Sequence, residues 1–353
     1  GQRCSALRCL YVQEDIATPF TEMLIGAMDA LHIGQPWQIS TDVGPVIDEE
    51  ARAGIDAHIQ TARAEGRLVY ELKTPNAGTF IAPTLIKIGG IADLEREIFG
   101  PVLHIATFKS HQLDEVIDAI NATGYGLTFG LMTRIDDRVQ HVTEAVHAGN
   151  IYVNRNQIGA IVGSQPFGGE GLSGTGPKAG GPHYLTRFTA RPAPEAPEGQ
   201  GDWSQEMGAK DLAQALAKAP AGPETRALIL PGPTGESNRL SVFAREPLLC
   251  MGPGADLAEA QAEAVRALGG RAVVTSGRLM PEALTALHGI SGALWWGDAA
   301  QGRAYARALA ARPGPILPLI TGMPDTGHVC HERHVCVDTT AAGGNAALLG
   351  GVS

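Results

Sequence analysis

The sequence feature that most constrains the fold is a regular alternation of short apolar runs with longer segments rich in Ala and charged residues. Apolar runs of about four to eight residues between turn signals have the length of strands, whereas apolar residues at roughly helical spacing indicate helices. Alternating strands and helices are typical of an α/β fold with a largely parallel sheet. In the first half of the chain the pattern predicts strands at 10–12, 68–71, 79–88, 102–108, 127–133 and 150–154, and helices at 18–31, 48–66, 111–123 and 137–148.

A Pro-rich stretch at 190–201 has the composition of a linker. Beyond it the chain is richer in Ala, Leu and Gly, and strands and helices alternate again between 247 and 320. We therefore predict a first domain at 1–189, a second, Rossmann-like α/β domain at 202–326 and a strand-and-tail segment at 327–353. Gly252-Pro253-Gly254 follows a strand, but the third Gly of a dinucleotide fingerprint and an acidic residue for a ribose are missing. The second domain is expected to be structural, covering or bracing the first.

Composition and charge argue against several classes of protein. With 353 residues, 44% of them hydrophobic, the chain can form two globular domains. Its 27 basic and 37 acidic residues give a formal charge of −10 without a basic block, so nucleic-acid binding by this chain is not expected. No apolar run approaches the roughly 18 residues of a membrane span, and no signal peptide opens the sequence. Five cysteines in this length favour a reducing, cytoplasmic compartment.

Cys4 is the first candidate catalytic residue. It lies in Gly-Gln-Arg-Cys-Ser at 1–5, just before the apolar strand at 10–12. A thiolate attacks an aldehyde carbon to give a thiohemiacetal; hydride transfer to a nicotinamide leaves a thioester, which an activated water hydrolyses. Thiolate formation depends on exposure and nearby cations, so the flanking Arg3 fits this role. The alternative is a buried structural Cys, which is the commoner state of a lone Cys.

Two further segments combine Gly with polar and aromatic residues. Glu-Ile-Phe-Gly-Pro at 97–101 leads into the strand at 102–108, and alone it could be an ordinary turn with one exposed Glu. Asn-Arg-Asn-Gln-Ile-Gly-Ala at 154–160 is followed by Gln-Pro-Phe-Gly-Gly at 165–169. A Gly-rich loop alone is weak evidence for a site, but three motifs in order are strong evidence.

In this order the three segments resemble the nucleophile segment, the Glu-x-Phe-Gly-Pro motif and the pocket loop of aldehyde dehydrogenases. The resemblance implies that Cys4 is the nucleophile and that Glu97 hydrogen-bonds the hydroxyls of the nicotinamide ribose of NAD. Two hydroxyls on one carboxylate give charge-assisted bonds of defined geometry. Phe99 would pack beside the nicotinamide. The oxyanion could use the backbone N–H of Cys4.

The loop at 154–169 narrows the resemblance to aldehyde dehydrogenases that oxidise L-glutamate γ-semialdehyde, the open form of 1-pyrroline-5-carboxylate. In those enzymes backbone N–H groups at a Gly-Ala step and the Ser beside the nucleophile hold the substrate carboxylate, which implies Gly159, Ala160 and Ser5. Small residues suit this task, because bulky side chains would keep an anion away from backbone donors. Phe167 would form an apolar wall against the aliphatic part of the substrate.

Two more segments, 169–182 with its Gly-Pro-Lys-Ala-Gly-Gly-Pro ending and 337–346, resemble the bifunctional proline utilization A (PutA) family. In that family a proline dehydrogenase barrel with FAD passes the semialdehyde to the aldehyde dehydrogenase through an internal cavity. The resemblance implies that this chain starts in mid-domain as the C-terminal portion of such an enzyme. The NAD domain, a Glu that activates water, an Asn oxyanion donor and the barrel would then lie upstream, and the chain alone should be inactive. The C-terminal strand and tail would seal the cavity or join protomers of a homodimer, and the parent could lie peripherally at the inner membrane.

A cluster of His and Cys at 328–336 contains the N and S donors that zinc prefers. On a strand, Cys330 and His334 would point to one face and His331 to the other. The spacing matches no common zinc motif clearly, so no metal site is expected.

Two other functions remain open: an aldehyde dehydrogenase with another substrate, and a catalytically silent scaffold. The Gly159-Ala160 step and the extra C-terminal domain argue against the first, and the joint presence of Cys4, Glu97 and Phe167 argues against the second. The expected activity is NAD-dependent oxidation of L-glutamate γ-semialdehyde to L-glutamate, the second step of proline catabolism.

Overall fold

The computed structural model describes residues 1–174, 176–188 and 201–340, which divide into two compact units. Both units are α/β, which confirms the predicted fold class. The division does not follow the predicted domain limits of 1–189, 202–326 and 327–353, which stay a prediction, and most of the predicted linker lies outside the described residues. Unit 1 comprises Gly1–Thr123, Glu144–Val146 and Gln157–Gly159, and unit 2 comprises Gly124–Thr143, His147–Asn156 and the described residues from Ala160 onward.

Unit 1 is built on a four-stranded sheet. Its elements in chain order are β1 (Cys9–Gln13), α1 (Glu14–Asp29), α2 (Glu49–Ala64), β2 (Leu68–Glu71), β3 (Thr84–Lys87), β4 (Val102–Phe108) and α3 (Leu113–Ala122), with a 3-10 turn at Ile91–Asp93. The strand order is β1-β4-β3-β2, in which only the edge strand β2 runs antiparallel to its neighbour. Leu85 packs in a cluster with α1 and Ile86 in a cluster with α2. Successive β3 residues are both buried because helices cover both faces of this sheet.

Two element boundaries in unit 1 differ from the predicted ones for identifiable reasons. Helix α1 begins at Glu14, four residues before the predicted start, because acidic residues in its first turn complement the helix dipole. The helix contains Pro19 in its interior. Strand β3 begins at Thr84 and not at residue 79, since Pro83 lacks the N–H that a ladder requires. Helix α2 agrees with its predicted range, and its N-cap Asp48 accepts the N–H of Ala51 at 2.8 Å.

Unit 2 contains two larger sheets and one small one. Its elements are β5 (Tyr125–Gly126), β6 (Thr128–Leu131), α4 (Asp136–Ala145, which extends into unit 1), β7 (Asn150–Val153), β8 (Glu170–Gly171), a 3-10 helix at Leu185–Phe188, α5 (Ala209–Ala217), β9 (Arg226–Leu230), β10 (Glu236–Ala244), β11 (Leu248–Cys250), α6 (Gly254–Ala267), β12 (Ala272–Val274), α7 (Glu282–Thr285), β13 (Gly292–Leu294), α8 (Ala299–Ala310), β14 (Leu319–Ile320), α9 (Thr326–Val329) and β15 (Cys330–Asp338). The parallel sheet β12-β11-β13-β14 with its helices is the Rossmann-like unit that the sequence predicts.

The five-stranded sheet, in the order β6-β7-β15-β10-β9, joins strands from both sides of the predicted linker. β15 lies between β7, to which it is parallel, and β10, to which it is antiparallel. All four residues of β7 are buried. The C-terminal strand therefore pairs directly with a strand of the first predicted domain. Residues 341–353 of the predicted tail lie outside the described residues, so sealing a cavity and joining protomers stay predictions.

The Gly252-Pro253-Gly254 turn connects β11 to α6 and is occupied by the protein's own groups. The N–H and the carbonyl of Gly252 both bond to the Gln261 amide, at 3.0 and 2.9 Å. Gly201 lies against the turn so closely that a Cβ there would stand 2.6 Å from the Pro253 carbonyl oxygen. The Gly252 N–H is thus already bonded within the domain, and the turn is packed against Gly201. Within the described ranges, no helix is long and apolar enough to cross a membrane.

Candidate active site

Cys4 lies on an exposed turn in unit 1, ahead of β1. The Ala6 N–H closes this turn by donating to the Arg3 carbonyl at 3.1 Å. The Gln2 side chain fixes the segment to a neighbouring loop, because it donates to the Pro45 carbonyl and accepts the Ile47 N–H, both at 3.2 Å. Among the described residues, the N–H of Cys4 finds no acceptor. The turn therefore presents a thiol and a free backbone donor together.

Arg8 joins the Cys4 turn to the Glu97–Pro101 segment. Its Nη2 donates to the Arg3 carbonyl at 3.0 Å, and its Nη1 donates to the Gly1 carbonyl. Its Nε donates to Oε1 of Glu97 at 3.0 Å, and its guanidinium carbon lies 4.6 Å from the centroid of the Phe99 ring. The Arg8 side chain is 16% exposed and that of Glu97 59% exposed. Oε2 of Glu97 accepts no hydrogen bond from the described part of the chain, so it is available to a ligand.

Gly1 allows these segments to approach each other through their backbones. A Cβ on Gly1 would overlap the carbonyl oxygen of Gly100. A larger residue at position 1 would therefore push the two segments apart. The first and second sequence motifs thus contact each other in unit 1, and the roles that the resemblance implies for their residues stay predictions.

His104 on β4 supports the start of β1. The backbone N–H of His104 donates to the Arg8 carbonyl at 3.1 Å, and the ring Nδ1 of His104 lies 3.0 Å from the same oxygen. The ring Nε2 of His104 lies 2.9 Å from Nε2 of His58. A carbonyl at Nδ1 places the ring proton on that nitrogen, so Nε2 of His104 accepts from His58. Burial lowers the pKa of His104 to about 4. His104, to which the sequence gives no role, is therefore a neutral structural residue at pH 7.

The loop after β7 carries the candidate carboxylate-binding residues. Its first residue, Asn154, has a φ of +58°, and its Oδ1 accepts the Thr133 N–H at 2.9 Å. Gly159 is exposed with a φ of +78°, a conformation that favours glycine even though nothing lies within 4 Å of a Cβ there. The N–H groups of Gly159 and Ala160 donate to no acceptor in the described ranges. Two consecutive free N–H groups are suited to bind an anion.

Phe167 lies near the C-terminal end of this segment, in unit 2, and its backbone exchanges hydrogen bonds of 2.9 and 2.8 Å with Ala179. It lines a cavity of about 240 Å³ together with Lys178, Arg245 and Glu332. Nζ of Lys178 donates to Oδ1 of Asn150 at 3.0 Å and to the Gly168 carbonyl, and burial lowers the pKa of Lys178 to about 7. The role of Phe167 as a wall of the aldehyde pocket stays a prediction.

The His and Cys residues of β15 take part in hydrogen bonds within unit 2. His334 is fully buried, with its Nε2 3.1 Å from Oδ1 of Asn238. Arg333 and His331 point to the opposite face of β15 from His334, and both contact the buried carboxylate of Glu170. No group of three or more His, Cys, Asp or Glu in the described part of the chain is arranged to hold a metal ion.

The predicted site residues are divided between the units. Cys4, Ser5, Glu97, Phe99 and Gly159 belong to unit 1, whereas Ala160 and Phe167 belong to unit 2. Ser5, beside the thiol, is only 4% exposed. Sequence reasoning missed Arg8, although it stands four residues after the candidate nucleophile, where a basic residue among apolar ones is a detectable signal.

Similar proteins are known for the whole length of the chain. The model of the aldehyde dehydrogenase family matches residues 1–192. The bifunctional protein PutA of Salmonella typhimurium is 40% identical over 99% of this chain and 31% of its own length. 1-Pyrroline-5-carboxylate dehydrogenase 1 of Halalkalibacterium halodurans is 39% identical over 52% of this chain and 36% of its own length.

A solved structure of a variant of Bradyrhizobium japonicum proline utilization A (PutA) is 53% identical, with a TM-score of 0.52, and covers 53% of this chain and 19% of that one. The chain spans about a third of the length of the curated relatives it matches. The family match contains the Cys4 turn, the Glu97–Pro101 segment and the Gly159-Ala160 loop. This chain belongs to the aldehyde dehydrogenase family.

Proposed function

We propose that this chain supplies the thiol, part of the nicotinamide-ribose site and the substrate-carboxylate site of an NAD-dependent L-glutamate γ-semialdehyde dehydrogenase. The observation that carries the proposal is Arg8, whose guanidinium holds the exposed Cys4 turn against Glu97 and Phe99. A thiol and a carboxylate that share one positioning residue are suited to act on neighbouring parts of a bound substrate and dinucleotide.

Cys4 forms the covalent bond. Its thiolate sulfur adds to the aldehyde carbon, and the former carbonyl oxygen becomes an oxyanion to which the free N–H of Cys4 can donate. NAD, when bound, supplies the hydride acceptor for this carbon. The C=O bond then re-forms as a thioester on Cys4, and hydrolysis releases the carboxylic acid and returns the thiol.

Glu97 and Phe99 fit the nicotinamide end of the dinucleotide. Glu97 keeps one carboxylate oxygen free and is more than half exposed, so it can accept hydrogen bonds from a ribose diol. Phe99 is 43% exposed and can cover an aromatic ring. Arg8 holds both side chains in place through the hydrogen bond to Glu97 and the contact with the Phe99 ring.

Gly159, Ala160 and Ser5 favour a substrate that carries a carboxylate. The two free N–H groups and the Ser5 hydroxyl are donors without protein acceptors among the described residues. An anion bound there would fix one end of the substrate and so restrict the orientation of its aldehyde group. L-Glutamate γ-semialdehyde has the required carboxylate, and similar proteins are named proline utilization A or 1-pyrroline-5-carboxylate dehydrogenase.

We also propose that the chain works as part of a longer bifunctional protein. The relatives that match along nearly the whole chain are well over three times as long and are named bifunctional. The remaining length would contain an NAD domain and an FAD-dependent proline dehydrogenase, which produces the precursor of the semialdehyde. A cytoplasmic location and a homodimer stay predictions.

The proposal is tested by NADH formation in the parent protein with 1-pyrroline-5-carboxylate as substrate. Cys4→Ala should abolish NADH formation, whereas Cys9→Ala should retain it, since Cys9 is half-buried and burial raises its pKa to about 12. Equal activity of the Cys4→Ala and wild-type proteins would refute the assignment of the nucleophile. Oxidation of simple aldehydes without oxidation of 1-pyrroline-5-carboxylate would refute the substrate.

A further inference from the structure

Glu236, the first residue of β10, holds both ends of the loop that carries Gly159 and Ala160. Its Oε2 accepts a hydrogen bond from Nη1 of Arg155, near the start of the loop. Its Oε1 accepts a hydrogen bond of 2.9 Å from Nε2 of Gln165, near the end. The side chains of Arg155 and Glu236 are 16% and 12% exposed. Charge-assisted hydrogen bonds so well shielded from water are strong.

Gln165 extends this contact to the neighbour of Ala160. Oε1 of Gln165 accepts the N–H of Ile161 at 3.1 Å, and the backbone N–H of Gln165 donates to the Ile161 carbonyl at 2.8 Å. Gln165 is itself 2% exposed. Two consecutive side-chain hydrogen bonds therefore connect Glu236 to the residue that follows the Gly159-Ala160 step.

The surrounding residues complete the hydrogen bonding of this cluster. Nδ2 of Asn238 donates to Oε1 of Glu236 at 2.8 Å. Sγ of the buried Cys336 on β15 lies 3.3 Å from Nη1 of Arg155 and 3.5 Å from Nε2 of Gln165. We call Arg155, Gln165 and Glu236 the loop clamp. By contrast, the tip of the loop is exposed, as Val162 is 93% accessible.

We propose that Glu236 is a positioning residue for the substrate carboxylate: from the C-terminal domain, it sets the conformation of the Gly159-Ala160 step. This inference rests on the proposed function of that step. An anion held by two backbone N–H groups requires both to point at it, and a displacement of about 1 Å can reduce a rate by roughly a hundredfold. The C-terminal domain would then determine the preference for aldehydes that carry a carboxylate, beyond bracing the fold.

The proposal is tested in the parent protein with Glu236→Gln. The ratio of kcat/KM for 1-pyrroline-5-carboxylate to kcat/KM for pentanal, which has no carboxylate, should fall about tenfold through a higher KM for the first substrate. Glu246→Gln is the matched control, since Glu246 lies just after β10 but is 60% exposed and paired with Arg271. It should leave the ratio unchanged. An unchanged ratio in Glu236→Gln, or an equal loss with both aldehydes, would overturn the proposal.

A second readout does not depend on activity. Hydrogen exchange of the amides at 156–164 should be faster in Glu236→Gln than in the wild type and unchanged in Glu246→Gln. If Glu236→Gln fails to fold, Gln165→Met can replace it, because this variant removes the link to Ile161 but retains the pair of Arg155 with Glu236. Gln165→Met should likewise lower the kcat/KM ratio of 1-pyrroline-5-carboxylate to pentanal and speed up hydrogen exchange at 156–164. Wild-type protein that oxidises pentanal but not 1-pyrroline-5-carboxylate would refute the proposed function. Even with that substrate result, faster hydrogen exchange at 156–164 in Glu236→Gln than in the wild type would support the loop clamp. Unchanged exchange would overturn the loop clamp as well.

Discussion

Replacement of Glu170 by Gln is expected to destabilise the folded protein by about 3 kcal/mol at pH 7. Glu170 of β8 is 8% exposed, and Arg333 of β15 donates to both of its oxygens, at 2.7 and 2.9 Å. Nε2 of His331 lies 3.3 Å from the same carboxylate. The variant keeps the size of the side chain but directs an amide donor at a buried guanidinium, which then lacks its counter-charge.

The magnitude follows from the pKa of Glu170. Burial alone would raise this pKa, but hydrogen bonds and charges from His331 and Arg333 outweigh burial and lower it from 4.5 to about 2. One pKa unit corresponds to about 1.4 kcal/mol, so the ionised form contributes roughly 3 kcal/mol. Because the pKa is lowered in the folded state, this contribution is complete above pH 4.5 and is lost as the pH falls through about 2. At about pH 3, less than half should remain.

The assay is urea-induced unfolding of the wild-type and Glu170→Gln proteins at pH 7 and at about pH 3, followed by Trp fluorescence. Glu259→Gln is the control, because Glu259 forms an exposed ion pair with Arg266 of the kind that contributes less than about 1 kcal/mol. The reasoning is refuted if Glu170→Gln changes the free energy of unfolding by less than about 1 kcal/mol at pH 7, or if the difference does not shrink in acid.

Three further predictions concern unit 1 and the loop. Arg8→Lys cannot donate to Glu97 and two carbonyls together, so kcat/KM for NAD should fall about tenfold in steady-state assays; a wild-type value would contradict this. Gly159→Ala places a Cβ at a φ of +78°, which costs about 1–2 kcal/mol, and should raise KM for 1-pyrroline-5-carboxylate but not for pentanal. Burial lowers the pKa of His104 from 6.5 to about 4, so the unfolded chain binds more protons between these values. The free energy of unfolding should fall as the pH drops through this window, and His104→Asn should reduce that slope; an equal slope would argue against a neutral His104.

The sequence predicts elements best where their pattern is local. β2 and β4 lie at the predicted positions, because each is a short run of residues with strand propensity between turn signals. The hairpin β9–β10 was missed, since β10 mixes Glu, Ser, Asn and Arg with apolar residues. The insertion of β15 between β7 and β10 could not be predicted, because it depends on contacts such as that of Asn150 with His334, 184 positions apart.

In the candidate site, too, local sequence patterns could be predicted, whereas contacts between residues distant in sequence could not. Cys4, Glu97 and the Gly159-Ala160 step could be found because their neighbours in sequence form recognisable motifs. Glu236 stands in no such motif, and its relation to Gln165 exists only once the chain folds back across 71 positions. The residues that we propose to touch a ligand thus stand in local sequence motifs, whereas Glu236, which we propose to position them, is found only through its tertiary contacts.

The central claim is that Cys4 carries the acyl intermediate of semialdehyde oxidation. The most direct test is mass spectrometry of the parent protein, quenched in acid during turnover of 1-pyrroline-5-carboxylate with NAD. The account predicts that the peptide containing Cys4 gains the mass of a γ-glutamyl group, and that the gain is absent without NAD and in Cys4→Ala. A γ-glutamyl group on another cysteine, or turnover of this substrate by Cys4→Ala, would contradict it.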